Sequence, residues 1–287
     1  MLTRLLSLVP ASAFGLFAAA GAAQAAEGYV ARSAPWQIWF QKPMSPTAEA
    51  VYDLNVLLMW IEGAIVLFVL GLMAYIVIKF NRKSNPVPSK TTHNTLLEVL
   101  WTGVPILILI GIAIPSLKVL YFSDKTQDAE MTLKVIGNQW YWSYQYPDHG
   151  DLAFDSVMIP DDELKPGQPR LLAVDNPVVL PANTNIRLLY SSNDVIHNWA
   201  VPSLSLKMDN TPGRINETWT HINQPGDYYG MCSELCGVNH GFMPIHIKAL
   251  SKEDFANWLV TAKQKFASKD APKADAPLRL AAVKAAE

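Results

Sequence analysis

The chain has 287 residues, 50% of them hydrophobic and 17% charged, with a formal net charge of −2. This length allows one or two domains, and the hydrophobic share is high for a soluble globular protein. The near-neutral charge, together with the lack of a basic stripe or a stacking motif, argues against nucleic acid as a partner.

The first 25 residues have the three parts of a secretory signal peptide. Arg4 gives a charged start, an apolar stretch follows, and Ala-Gln-Ala at 23–25 forms a small-residue cleavage site. A retained membrane helix is the rival interpretation, but the many small residues and the well-formed cleavage site favour removal. The mature chain is then predicted to begin with a periplasmic segment, residues 26–55, whose aromatic residues are typical of a membrane interface.

Two apolar runs predict a transmembrane helical hairpin over residues 56–122. The first run, 56–78, has 23 residues and would be about 34 Å long as a helix, enough to cross a hydrocarbon core of about 30 Å. The second run, 96–122, contains an almost unbroken aliphatic stretch at 106–114.

The loop between the two runs, residues 79–95, is basic, and no acidic residue follows before Glu98. Its basic residues are Lys79, Arg82, Lys83 and Lys90. The positive-inside rule places this loop in the cytoplasm, so both termini are predicted to be periplasmic. This topology agrees with the export signal and predicts a protein of the bacterial inner membrane with two spanning helices.

After residue 122 the pattern changes to short strands, and residues 123–267 are predicted to form one periplasmic domain. Strands are predicted at 131–136, 186–190, 218–222 and 244–248. Turn signals such as Lys165-Pro-Gly and Gln224-Pro-Gly separate them, and this arrangement favours a β-sandwich. A terminal helix is predicted at 251–266, and the tail 268–287 has no pattern that would bury a core and is predicted to be disordered.

The most informative residues lie near the end of this domain. Cys232, Cys236, His240 and Met243 occur within twelve residues, and His197 precedes Cys232 by 35 positions. Thiolate and thioether sulfur are soft ligands that, with imidazole, favour copper over magnesium, calcium or manganese. One upstream histidine and a Cys/His/Met loop is the layout of a blue-copper site. The second thiolate would let two bridging sulfurs hold two metals.

Two other interpretations of this loop remain open on spacing alone. The only two cysteines of an exported protein could form a disulfide, and a Cys2His2 set could bind structural zinc. Both leave Met243 without a role, and the complete donor set therefore favours copper.

The loop resembles the dinuclear copper (CuA) loop of subunit II of haem-copper cytochrome c oxidases, of the bacterial aa3-like type. The similarity continues in family order over roughly residues 50–262, through the motifs Glu98-Val-Leu-Trp-Thr, Gly137-Asn-Gln-Trp-Tyr-Trp-Ser-Tyr, Phe154-Asp-Ser-Val-Met-Ile-Pro and Asp209-Asn-Thr-Pro-Gly-Arg. The resemblance implies a membrane α-helical hairpin of two transmembrane helices, followed by an all-β cupredoxin-like sandwich.

The resemblance also implies a ligand set for two copper ions. Cys232 and Cys236 would bridge both ions, His197 and Met243 would complete one, and His240 would complete the other. The backbone carbonyl of Glu234 would be a weak ligand, and its side chain would bind a magnesium or manganese ion shared with subunit I.

The implied function is that of an electron-accepting subunit of an oxidoreductase. Cytochrome c would deliver electrons through Trp140, and the haem-bearing subunit I would receive them and reduce O2 to water, coupled to proton pumping. Glu98 would mark the entrance of a proton channel into subunit I. An acidic patch formed by Asp148, Asp151, Asp155 and Asp194 would steer a basic cytochrome c.

Three related classes are disfavoured by what the chain contains. A free cupredoxin would not need two membrane helices, a nitrous oxide reductase would need a large additional domain, and a quinol oxidase subunit II would lack the copper ligands. The chain also has no Cys-x-x-Cys-His motif for a fused c-type haem domain.

Overall fold

The computed structural model of the chain describes residues 29–150 and 152–266. The predicted signal peptide, the predicted disordered tail and Asp151 lie outside the described residues. The described part consists of two long helices, a β-sandwich and a short helix that ends it. The helices are α1 (Pro46–Lys79), α2 (Thr95–Asp124) and α3 (Lys252–Phe266).

Both long helices are long and apolar enough to cross a membrane, as the sequence predicts. Helix α1 nevertheless begins ten residues before the apolar run, at Pro46 rather than at 56. Ser45 caps it by accepting a hydrogen bond from the Ala48 N–H, and Thr47 and Ala48 are buried. An apolar run predicts only the part of a helix that enters lipid. The first turns of α1, before residue 56, were therefore not predicted.

Eleven strands form two sheets in the described residues. They are β1 (Tyr29–Ala31), β2 (Met131–Asn138), β3 (Tyr141–Tyr146), β4 (Leu152–Ser156), β5 (Val178–Pro181), β6 (Asn185–Ser192), β7 (His197–Val201), β8 (Leu206–Asn210), β9 (Asn216–His221), β10 (Gly226–Cys232) and β11 (Pro244–Leu250). One sheet has the order β4-β3-β2-β6-β9. The other has the order β5-β11-β10-β7-β8, and β1 pairs in parallel with the first residues of β10.

The core lies between the two sheets and is rich in aromatic side chains. Trp142, Tyr144, Tyr190 and Trp199 are fully buried, and the Trp199 Nε1–H donates to the Tyr144 hydroxyl at 3.2 Å. Along β2 and β6, buried residues alternate with partly buried ones. This period of two is expected for a sheet with one face in the core. The predicted helical hairpin followed by a β-sandwich is confirmed.

Each long helix is joined to the sandwich by its own hydrogen bonds. At the start of α1, the Ser45 hydroxyl donates to the Leu204 carbonyl at 2.8 Å. At the end of α2, the Trp219 Nε1–H donates to the Phe122 carbonyl at 3.1 Å, and the two rings meet edge to face. The sandwich is therefore attached to the hairpin at two separate points.

Candidate metal centre

The candidate ligands meet at one end of the sandwich because three neighbouring strands begin or end there. His197 is the first residue of β7, Cys232 is the last residue of β10, and Met243 directly precedes β11. Cys232 is paired with Trp199 in the register of β10 and β7, two residues from His197. The other ligand candidates lie in the loop 233–243, which connects β10 to β11.

The donor atoms of all five side chains converge. The Sγ atoms of Cys232 and Cys236 are 3.9 Å apart, and both cysteines are free thiols. Cys232 Sγ lies 4.0 Å from His197 Nδ1, and Cys236 Sγ lies 3.6 Å from His240 Nδ1 and 3.5 Å from Met243 Sδ. The distance between the two Sγ atoms is far longer than the roughly 2.0 Å of a disulfide bond. It is a distance that one metal can bridge with bonds of about 2.3 Å to each sulfur.

The loop is held in place by hydrogen bonds from the strands around it. The Cys232 N–H donates to the Met243 carbonyl at 3.3 Å, which closes the two ends of the loop. The Cys236 carbonyl accepts from Gln139 Nε2 at 2.8 Å and from Trp140 Nε1 at 3.2 Å. These contacts bring the β2–β3 turn against the metal loop, 96 residues away in sequence.

Gly237 occupies the tightest part of the loop. Its φ of +119° lies in a region that residues with a side chain rarely adopt. A Cβ at this position would lie 3.0 Å from the Trp140 ring. The loop therefore needs a glycine there, both for its backbone conformation and for its contact with Trp140.

Two residues that orient His197 were not identified from the sequence. The Asp194 carboxylate accepts a hydrogen bond from His197 Nε2 at 2.8 Å, which leaves Nδ1 directed at Cys232. The same carboxylate accepts from the Gln139 N–H at 2.6 Å. Gly137 lies against the other side of the ring, where a Cβ would come within 2.7 Å of His197 Cδ2. The signal for Asp194 was its spacing of three residues before His197.

The two thiols differ in acidity. Burial raises the pKa of Cys232, but hydrogen bonds from His197 and from nearby backbone groups outweigh burial and lower that pKa to about 7. Burial and then the charge of Cys232 raise the pKa of Cys236 to about 12. The Cys232 thiol therefore ionises more easily than the Cys236 thiol, and a bound cation would favour the thiolate form of both.

Glu234 places its backbone carbonyl beside the centre and is itself exposed. Its carbonyl oxygen lies 3.3 Å from Cys232 Sγ.

Trp140 and Trp142 have different environments in the structure. Strand alternation alone would place them on the same face, because they are two residues apart. Trp140 belongs to the β2–β3 turn and is half-buried, with its ring against the metal loop. Trp142 is in β3 and is completely buried, where its Nε1–H donates to the Met243 carbonyl at 3.3 Å. Of these two tryptophans, only Trp140 is partly exposed while its ring contacts the metal loop.

Glu98 lies in the first turn of α2, far along the chain from the metal centre. It accepts a hydrogen bond from the Asn94 N–H at 3.3 Å, so it takes part in capping the helix. It also lines a shallow surface depression of about 450 Å³ together with Thr95, Val99, Thr102 and Gly103.

The acids considered for a steering patch are partly engaged in the fold. Asp148 accepts from the Thr132 N–H, Asp155 accepts from the Ser143 hydroxyl, and Asp194 accepts from His197. Of these three, Asp194 contacts the ligand candidate His197, and as a residue it remains exposed.

The arrangement defines a class of protein. A membrane-anchored sandwich carries a compact donor group in which ligand atoms of His197, Cys232 and Cys236 lie within 4.8 Å of one another. Two sulfurs, imidazole nitrogen and a thioether fit a soft metal ion, and the buried thiols have no disulfide partner. The fold and the donor set are those of a membrane-bound, cupredoxin-like metal protein.

Comparisons with known proteins assign the family. The profile described as "Cytochrome C oxidase subunit II, transmembrane domain" matches residues 33–119, and "Cytochrome C oxidase subunit II, periplasmic domain" matches residues 131–250. The probable cytochrome c oxidase subunit 2 of Rickettsia bellii is 55% identical over 234 residues, covering 82% of this chain and 87% of that relative. The cytochrome c oxidase subunit 2 of Phytophthora megasperma is 46% identical over 230 residues, covering 78% and 86%.

Among solved structures, the crystal structure of the periplasmic domain of subunit II of cytochrome oxidase from Bradyrhizobium japonicum is 49% identical. The match covers 50% of the present chain and 99% of the Bradyrhizobium japonicum chain, with a TM-score of 0.47. The chain described here belongs to the cytochrome c oxidase subunit II family, as its motifs indicate. It is a subunit of a haem-copper oxidase complex, an oxidoreductase, and an electron-transfer role fits it.

Proposed function

We propose that the sandwich holds two copper ions as a CuA centre, bridged by Cys232 and Cys236. His197 and Met243 would complete one ion and His240 the other, with the Glu234 carbonyl as a weak ligand. The observation that carries this proposal is the convergence of five side-chain donors around two free thiols 3.9 Å apart. When bound, the two ions would supply one-electron transfer.

The donor set favours copper over the alternatives. Structural zinc is satisfied by four cysteine or histidine ligands and does not need a thioether. Here Met243 is 1% exposed and its sulfur lies 3.5 Å from Cys236 Sγ, so the thioether is built into the centre. A soft sulfur in this position suits a copper ion.

The residues of this chain would keep the ligands still while the charge of the centre changes. His197 is fixed by Asp194 on one side and by Gly137 on the other. The loop is fixed at Cys236 by hydrogen bonds from Gln139 and Trp140. A centre that rearranges little on gaining an electron has a small barrier to transfer, because preorganised groups do not have to move.

We further propose that Trp140 accepts the electron from cytochrome c, and that the haem-bearing subunit I receives it for the reduction of O2 to water coupled to proton pumping. The support is geometric. The half-buried Trp140 ring is hydrogen-bonded directly to the carbonyl of a proposed bridging ligand, Cys236. The route from the surface to the centre would therefore pass through one side chain.

Replacing Trp140 with glutamine tests this route. We expect the copper content and the affinity for cytochrome c to stay close to wild type and the rate of electron transfer to fall by orders of magnitude. Stopped-flow reduction by cytochrome c at several salt concentrations measures both steps, since binding depends on salt and the transfer step does not. Tyr141→Gln is the matched control, because Tyr141 is the adjacent half-buried aromatic residue. Near-normal transfer in Trp140→Gln would leave Trp140 as a packing residue.

Two carboxylates would serve the interface with subunit I. The exposed Glu234 side chain would bind a magnesium or manganese ion shared between the two subunits. Glu98 would form the entrance of a proton channel. This role is supported by the surface depression that Glu98 lines together with Thr95 and Thr102. Burying a carboxylate at a membrane surface is costly, so its presence there favours a function.

Glu98→Gln separates the proton role from helix capping. The glutamine carbonyl still accepts the hydrogen bond from the Asn94 N–H, so the cap is preserved. We expect turnover of the assembled oxidase to fall and Glu98→Asp to restore part of it. Unchanged oxygen consumption in Glu98→Gln would assign Glu98 to capping alone.

The location we propose is the bacterial inner membrane, with both termini in the periplasm. The basic loop at the end of α1 supports this orientation, because Lys79, Arg82 and Lys83 would lie on the cytoplasmic side. The metal centre would then face the compartment in which cytochrome c is found.

A further inference from the structure

The segment between β1 and α1, residues 32–43, forms a loop that is fixed at both ends. Before it, Ala31 is buried and paired with Tyr228 of β10. After it, the buried Met44 donates its N–H to the Ser203 carbonyl at 2.8 Å. The loop is therefore tied to the sandwich at both of its ends.

The tip of this loop exposes large apolar side chains. A turn closed by the Gln37 N–H on the Ala34 carbonyl, at 3.1 Å, projects Trp36 and Ile38, each 98% exposed. Phe40 is 55% exposed. Exposed apolar groups concentrated on a short, fixed turn are unfavourable in water and indicate a contact with an apolar partner.

The position of the loop identifies that partner. Trp39 packs edge to face on Tyr52 of α1, with ring centroids 6.2 Å apart. Tyr52 lies four residues before the apolar run that starts at Val56, a rise of about 6 Å along a helix. The loop is therefore within about one helical turn of the level at which α1 enters the hydrocarbon core. At this level tryptophan and tyrosine are the side chains that membranes favour.

The charges of the loop fit the same partner. Arg32 and Lys42 flank the apolar tip, and no acidic residue occurs in residues 28–48. Cationic side chains around an apolar tip suit phosphate headgroups above acyl chains.

We propose that residues 32–43 are a membrane anchor in which Trp36, Ile38 and Phe40 insert into the interfacial layer of the leaflet on the side of the sandwich. The loop is attached to β10, which ends at Cys232, and also touches α1. It would hold the metal-binding domain at a fixed height and tilt on the bilayer, as a third attachment besides the two helices. This inference does not depend on which metal the domain holds.

A photo-crosslinking amino acid at position 36 tests the proposal in the assembled oxidase within native membranes. After irradiation, mass spectrometry of the subunit separates phospholipid adducts from protein adducts. We expect phospholipid adducts at position 36 in several-fold excess over those at position 260. Val260 is the matched control, because it is 61% exposed and lies on α3, which packs on β4, β5 and β11.

Two results would overturn the anchor. A main product linked to another oxidase subunit would show that the tip lies in a subunit interface. Adducts no more frequent than at position 260 would show that the tip faces water. A second measurement uses the same membranes: Trp36→Ser combined with Ile38→Ser should leave copper content unchanged and reduce lipid adducts at position 40.

Discussion

At the metal-binding end of the sandwich, four of the five side-chain ligand candidates are buried, and His240 is half-buried. In the helical hairpin, by contrast, the side chains of α1 from Leu57 onward are largely exposed. His197 is completely buried between Asp194 and Gly137, while Glu98 is half-exposed beside a shallow depression. In the first region, all five side-chain ligand candidates come from this one chain. The second exposes apolar side chains over most of its length, so it needs lipid and partner subunits to cover them.

The largest change should come from removing one of the two thiolates proposed to bridge the copper ions. Cys232→Ser or Cys236→Ser should reduce the copper bound per chain to one ion or none, because a hydroxyl does not bridge two coppers as a thiolate does. Met243→Leu should keep both ions and shift the reduction potential, since a thioether is a weak axial ligand. Metal analysis and redox titration measure these outcomes. Met208→Leu, at a partly buried methionine outside the loop, is the control. Two coppers and normal electron transfer in Cys236→Ser would contradict the bridging role.

A smaller effect is expected when the surroundings of a ligand change and the ligand itself does not. In Gly137→Ala the new methyl group would lie 2.7 Å from His197 Cδ2, so the ring or the β2 backbone must shift. Overpacking of this kind costs roughly 1–3 kcal/mol of folding free energy. We expect weaker copper binding and an altered absorption spectrum. Gly241→Ala, where a Cβ meets nothing within 4 Å, should behave like wild type. An unchanged Gly137→Ala spectrum would mean that the metal loop adapts more easily than its contacts indicate.

The smallest effect on stability is expected where the start of α1 is hydrogen-bonded to the sandwich. Ser45→Ala removes the cap of α1 and the hydrogen bond to the Leu204 carbonyl, and should cost about 1 kcal/mol of stability. Thr47→Ala leaves the cap on Ala48 in place and removes the Thr47 hydrogen bonds to the Ser45 hydroxyl, at 3.0 Å, and to the Leu204 carbonyl, at 3.3 Å, so it serves as the control. Thermal unfolding of the detergent-solubilised subunit, followed by loss of copper absorbance, measures the difference. Equal melting temperatures for the two variants would show that the cap on Ala48 adds no stability beyond the hydrogen bonds that link α1 to the sandwich.

Local patterns were sufficient for the features that depend on neighbours in sequence. Four of the five metal-ligand candidates lie within twelve residues, so their spacing alone predicted a site. The two membrane helices followed from the length of their apolar runs, because lipid requires a minimum span. The short strands followed from alternation, because one face of each is buried.

Other features were decided only by the tertiary structure, because they join residues far apart in the chain. The bond from Gln139 to Asp194 spans 55 residues, and the bond from Trp140 to the Cys236 carbonyl spans 96. Both depend on the parallel register of β2 and β6 and on the packing of one sheet over the other, which no local pattern records. The start of α1 is likewise joined to the sandwich by the bond from Ser45 to the Leu204 carbonyl, 159 residues away. The sequence by itself therefore determined which ligands the chain offers and where it crosses the membrane. Packing between distant strands decided how those ligands are held and which tryptophan reaches them.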